Sequence, residues 1–126
     1  MDIEQNATAE QTLAELDEEQ LNNLKEILSD DDEMSLNDLV ETFLENAEEQ
    51  LSTLKEAVLS GDRKCIVETA HSIKGSSSNF GATKMVRISR EIQTTGDSAP
   101  EDHLGTLTTD LRLEFNRVRS ALKEIG

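Results

Sequence analysis

Aromatic residues are almost missing from this chain. Tryptophan and tyrosine are absent, and Phe43, Phe80 and Phe115 are the only phenylalanines. A core must therefore be assembled from Leu, Ile, Val, Met and Ala. Proline occurs once, at Pro100, and glycine six times, so helices are favoured over a strand-and-turn architecture. Cys65 is the single cysteine, which excludes an intrachain disulfide and a cysteine-based metal site. No apolar run approaches the ~18 residues needed to span a bilayer. The polar, acidic stretch from Met1 to Gln11 does not resemble a signal peptide. The expectation is a soluble cytoplasmic protein without membrane contacts.

Positive charge is also scarce. Twelve bases face 27 acids, for a net charge of −15, which argues against nucleic acid as a partner. The imbalance is local: residues 1–60 hold 18 acids and two bases, whereas residues 61–126 hold nine acids and ten bases. Lys74, Lys84, Arg87 and Arg90 all fall in the second half, close to His71. The carboxylates are spread without a metal-ligand pattern, and Asp30-Asp31-Asp32-Glu33 lacks the spacing and central glycine of a calcium loop. No phosphate-binding glycine loop of the kind that holds ATP is present.

Hydrophobic spacing gives five helices and no strand. Residues 1–15 read as a flexible lead-in, and 16–126 as one helical domain. Asp17-Glu18-Glu19-Gln20 has the form of a capping box, with Asp17 as N-cap and Gln20 closing it. Leu21, Leu24, Ile27 and Leu28 follow at helical spacing, and that helix should end near Ser29. Ser35 caps a long second helix whose stripe runs Leu36, Leu39, Val40, Phe43, Leu44, Ala47, Leu51, Leu54 and Val58. Gly61 and Asp62 end it and cap the next, which carries Ile66, Val67, Ala70, Ile73 and Ser77 to about residue 79. Gly81 separates this from a fourth helix with Met85, Ile88 and Ile92. Pro100 opens a fifth, with Leu104, Leu107, Leu111, Phe115, Val118, Leu122 and Ile125. Short connections predict an antiparallel four-helix bundle, with the first helix leaning on it as a cap.

On the third helix His71 shares a face with Lys74, Gly75 and Ser78. An imidazole is thus paired with a cation one turn away and a missing side chain beside that cation. Glycine in a helix interior costs ~1 kcal/mol relative to alanine, so Gly75 needs a reason. Clearance for something bulky that approaches His71 is one, and close helix packing is another. Ser76, Ser77 and Ser78 read as small packing and helix-end groups, and His103 as a surface residue.

The run His71-Ser72-Ile73-Lys74-Gly75-Ser76-Ser77, with Phe80-Gly81 behind it, resembles the signature of histidine-containing phosphotransfer domains. Leu16-Asp17, Leu39-Val40 with Phe43-Leu44, and the Gly61-Asp62 break are also similar to that family, and the likeness extends over about residues 16–125. The resemblance implies a phosphoryl carrier with no ATP-binding or kinase domain of its own, rather than an enzyme. His71 would accept the phosphoryl group, Lys74 would be the nearby cation, and Gly75 would keep the approach open. Gln93, after Glu91-Ile92, matches the family position that hydrogen-bonds the other ring nitrogen. The implied partners are receiver domains of a hybrid sensor kinase and of a response regulator, which would also supply Mg²⁺. The chain itself is expected to need no cofactor, to bind no metal, and to act as a stand-alone monomer.

The docking surface is expected to surround His71. It would use Ser78, the exposed apolar residues Leu21 and Leu24 of the first helix, and Lys84, Arg87 and Arg90 as complements to an acidic pocket. The alternative is a non-catalytic helical adaptor that binds a receiver domain or histidine kinase.

Overall fold

The computed structural model describes residues 14–29 and 35–125, and among these it contains five helices and no strand. They are α1 (Glu18–Ser29), α2 (Leu36–Ser60), α3 (Arg63–Asn79), α4 (Thr83–Thr95) and α5 (Glu101–Ile125). The acidic run at 30–33 and residues 1–13 of the expected lead-in lie outside the described residues, as do the side chains of Leu28 and Ile125.

Local chemistry sets the helix ends. Ser35 caps α2 by accepting from the Asp38 amide at 3.1 Å, and the Asp38 carboxylate accepts from the Ser35 amide at 3.4 Å, a reciprocal box. Gly61 ends α2 in the left-handed region, with φ +74°, a conformation glycine adopts without steric penalty. Asp62 then caps α3 through the Cys65 amide at 3.2 Å. Between α4 and α5, the Arg63 guanidinium donates to the Gly96 and Ala99 carbonyls at 3.0 and 2.6 Å, so the loop is tied to the start of α3.

The four longer helices form an antiparallel bundle in which α3 packs on α2 and α4, and α5 packs on the same two from the other side. The buried stripes are the predicted ones, with Leu54, Ile66, Ile73, Met85, Ile92, Leu104, Leu111, Phe115 and Leu122 at the centre. The rings of Phe43 and Phe80 stack with centroids 4.5 Å apart, which joins α2 to the end of α3. Glu48 on α2 accepts from Arg112 and from Arg119 on α5, and both guanidinium groups lie over the Phe115 ring at 5.8 and 5.7 Å.

α1 leans on α2 and α3, and its attachment differs from the sequence pattern. Asp17 caps it, accepting from the Glu19 and Gln20 amides at 3.0 and 3.3 Å. The Gln20 side chain does not close the box. It donates instead to the Asn79 carbonyl at 3.2 Å, satisfying an orphan acceptor at the end of α3. The Asp17 amide donates to the Gly81 carbonyl at 2.7 Å. Leu21, expected as an exposed docking residue, is 5% exposed and belongs to the core, while Leu24 is half-buried against it. Leu21 and Leu24 are used in holding α1 to the bundle, and Ile27 is exposed.

Gly81 is where this attachment is most sensitive. Its φ is +66°, and a Cβ there would stand 2.8 Å from the Asp17 carbonyl oxygen. Left-handed backbone alone costs ~1–2 kcal/mol for a residue with a side chain. Gly81→Ala is therefore expected to destabilise the fold by about 2 kcal/mol or more, seen as a lower midpoint in urea unfolding. An unchanged midpoint would show that the α1 attachment is not coupled to global stability.

Candidate functional site

The Gly81 break reverses the chain so that α4 runs back along α3, and this brings His71 and Gln93, 22 residues apart, into contact. His71 is exposed on α3, and its Nδ1 lies 3.0 Å from the side-chain amide of Gln93. Whether Nδ1 donates or accepts depends on the ring tautomer. With the Gln93 amine toward the ring, Gln93 Oε1 is buried and has no partner among the described residues. A half-turn of the amide brings Oε1 onto the ring and puts the amine in that unpartnered place. The two orientations thus leave the same number of groups unsatisfied, and the Nδ1–H tautomer is available. In that tautomer Nε2 carries a lone pair and is the ring nitrogen free to react.

Lys74 is half-exposed one turn along from His71, and among the described residues it forms no ion pair. Gly75 is exposed, and among the described residues a Cβ built there would meet nothing within 4 Å. Close helix packing is thereby excluded as its reason. Ser77, by contrast, is fully buried against Met85, with Oγ 4.0 Å from the sulfur.

The predicted docking residues converge farther along the same seam. Ser78, Arg87 and Arg90 line one shallow cavity of about 310 Å³, together with Asp17, Gln20, Gly81, Thr83 and Val86. Ser78 lies two turns from His71 along α3, and Arg90 lies one turn from Gln93 along α4. Lys84 is half-buried beside this cluster and does not line the cavity. Arg87 does not stand free. Glu15 meets it in a two-pronged ion pair, with Nη1 to Oε1 at 2.5 Å and Nη2 to Oε2 at 3.2 Å. The Thr83 hydroxyl donates to the same Oε1 at 2.8 Å. The Glu15 amide donates to Oε2 of Glu114 at 3.0 Å, a carboxylate only 1% exposed that also meets Arg117 at 3.3 Å. Ala14 packs partly on the core, so the last two residues of the expected flexible segment are docked.

Sequence reasoning passed over Glu15, Thr83 and Glu114. Neither Glu15 nor Glu114 lies near α4 in sequence, and no spacing rule links them. His103 is a surface residue as expected, with Nε2 3.7 Å from Glu91.

Hydrogen bonds from Arg87 and then Thr83 hold the Glu15 carboxyl below its ordinary value of 4.5, and Lys84 adds to the pull. A depressed carboxylate pKa contributes stability above the unfolded value and loses it as pH falls through the folded one. The docking of Glu15 is accordingly expected to be intact at neutral pH and to be lost below about pH 4.5. Chemical shifts of Thr83 and Arg87 followed from pH 7 to pH 3 check this, and shifts that move instead above pH 5 contradict it.

An exposed imidazole held by a glutamine between two bundle helices, with a cation and open space beside it, has a geometry suited to receiving a phosphoryl group from a bulky donor. The family model for the Hpt domain matches residues 38–121, which include His71 and Gln93. The chain belongs to the Hpt domain family. It is similar to histidine-containing phosphotransfer protein B from Pseudomonas aeruginosa PAO1, with 31% identity and a TM-score of 0.79 over 87% of this chain and 92% of that one. The HPT domain of the Hpt sensor hybrid histidine kinase from Shewanella has the same fold. It superposes with a TM-score of 0.69 at 23% identity, over 91% of this chain and 93% of that one. No curated protein matches the chain significantly. Hpt domains are phosphocarrier modules of two-component signalling that work with receiver domains, and this Hpt domain has a phosphotransfer role in such signalling. No helix among the described residues is long and apolar enough to cross a membrane.

Proposed function

We propose that this Hpt domain carries a phosphoryl group on Nε2 of His71, taking it from the aspartyl phosphate of one receiver domain and giving it to the aspartate of another. The observation that carries the reading is the contact between Gln93 and His71 Nδ1, which engages one ring nitrogen of an exposed imidazole and leaves the other open. In the transfer, the N–P bond forms at Nε2 as the aspartyl O–P bond breaks, and the receiver carboxylate leaves with the bonding pair. No proton has to leave Nε2, because Nδ1 holds it. The ring becomes cationic, and Gln93 Oε1 accepting from Nδ1–H stabilises that charge. Lys74 supports the negative oxygens of the moving group. Gly75 admits the receiver, and Ser78, Lys84, Arg87, Arg90 and the outer edge of Leu24 form the ground on which it docks.

Any Mg²⁺ used in the transfer belongs to the receiver. Among the described residues no group of His, Cys, Asp and Glu is placed to hold a metal ion. The carrier is proposed to act as a monomer in the cytoplasm.

The test is a relay with two receivers. A receiver domain labelled by its kinase is mixed with this protein, and a second receiver is then added. Label that passes through the protein to the second receiver supports the carrier. Binding to receivers without any labelled intermediate points to the adaptor instead.

A further inference from the structure

Arg87 lines the cavity at the far end of the proposed docking strip, yet it is already engaged. Its guanidinium holds both carboxylate oxygens of Glu15, the geometry that a guanidinium also offers to a partner's carboxylates. Glu15 sits on an extended lead-in rather than in a helix, and three further bonds aim it there. Thr83 donates to its side chain, its own amide donates to the buried carboxylate of Glu114, and two residues on the Asp17 amide donates to Gly81. Lys84 adds its field on the same carboxylate. Glu15 and Arg87 remain about half exposed, at 47% and 59% of their side-chain surface. The pair is therefore accessible to exchange with an incoming carboxylate, unlike the buried Glu114.

We propose that Glu15 is an internal competitor for Arg87, a specificity-determining carboxylate that a receiver must displace with its own acidic groups before Arg87 can help it dock. The inference rests on the carrier reading above, since it assigns a competitor to the docking strip of that reading. A receiver that offers a well-placed carboxylate to Arg87 exchanges one ion pair for another. A receiver that lacks one leaves Glu15 in place and meets a carboxylate at the edge of the strip. Glu15 thereby weakens docking of every receiver somewhat, and weakens docking of poorly matched ones most. Exposed ion pairs are weak in water, so the effect on an acidic, matched receiver is modest, in the range of about two- to five-fold in Kd.

The experiment measures Kd by calorimetry for the receiver domain that gives the fastest transfer in the relay, against wild type, Glu15→Gln, Arg87→Gln and the double variant. Chemical labelling of His71 by phosphoramidate, a small donor that needs no docking, is read on wild type and Glu15→Gln in parallel. Glu15→Gln is expected to tighten binding about two- to five-fold, to leave phosphoramidate labelling unchanged, and to have a clearly smaller effect once Arg87 is already Gln. Equal or weaker binding by Glu15→Gln overturns the competitor, and so does tightening of undiminished size without Arg87. Tight binding of wild type with His71 labelled, but no response to Glu15→Gln, removes this inference alone. Failure of every receiver to bind either protein removes it together with the carrier reading, and labelling by phosphoramidate then shows whether His71 is reactive at all.

Discussion

His71→Gln is expected to take up no phosphate from a phosphorylated receiver, a loss of at least about 1,000-fold in single-turnover rate, the scale on which enzymes lose activity with their nucleophile. Glutamine keeps the size and polarity of the side chain but not the nucleophile, because its amide nitrogen shares its lone pair with the carbonyl. The substitution is at an exposed position, where changes away from packed features stay within about 0.5 kcal/mol. The variant should therefore unfold at the wild-type urea concentration and still bind receivers. Loss of label with binding retained identifies a carrier. Transfer that continued in the variant would place the acceptor elsewhere on the chain.

Gly75→Leu should separate stability from function in the opposite direction. A side chain there starts into open space, since a Cβ finds nothing within 4 Å among the described residues. It replaces glycine in a helix interior, so the fold should gain somewhat less than about 1 kcal/mol. The side chain projects into the approach of the donor. Holding the reacting atoms even ~1 Å too far apart lowers a rate on the order of 100-fold, and that is the expected fall in transfer. Gly105 supplies the control. It too lies inside a helix with nothing within 4 Å of a Cβ, but it lines the groove between α2 and α5 with Leu51, Leu59 and Thr108. That groove is across the bundle from the α3–α4 seam. Gly105→Leu should stabilise similarly and leave transfer at the wild-type rate. Equal effects of the two substitutions on transfer would remove the clearance role of Gly75.

These two glycines show how far the sequence alone could be read. Both stand in helical patterns, and the place of Gly75 on one helix face with His71 and Lys74 singled it out. That Gly75 faces open space rather than a packed helix required the fold. The helix spans were legible because their caps are local: Ser35, Gly61 and Asp62 act within four residues of themselves. The pairing of His71 with Gln93 was legible through resemblance, since no spacing rule connects residues on different helices.

The attachment of α1 was misread where tertiary bonds outcompeted local ones. Gln20 has a capping-box spacing from Asp17, but the orphan carbonyl of Asn79 takes its amine. Leu21 was expected as an exposed docking residue, and it is buried because α1 packs its apolar face on the bundle. Arg87 was expected as a docking cation, and its ion pair with Glu15 was not legible. The two residues are 72 apart in sequence, and a carboxylate in a polar lead-in carries no local sign of its partner.

The transfer chemistry turns on which nitrogen of His71 is free, and long-range ¹H–¹⁵N NMR of the imidazole reads this directly. Before transfer, the ring should show its proton on Nδ1 and an unprotonated Nε2. After mixing with a phosphorylated receiver, coupling to phosphorus should appear at Nε2 while Nδ1 keeps its proton. Phosphorus at Nδ1, or a ring unchanged after the receiver has lost its phosphate to this protein, would contradict the account.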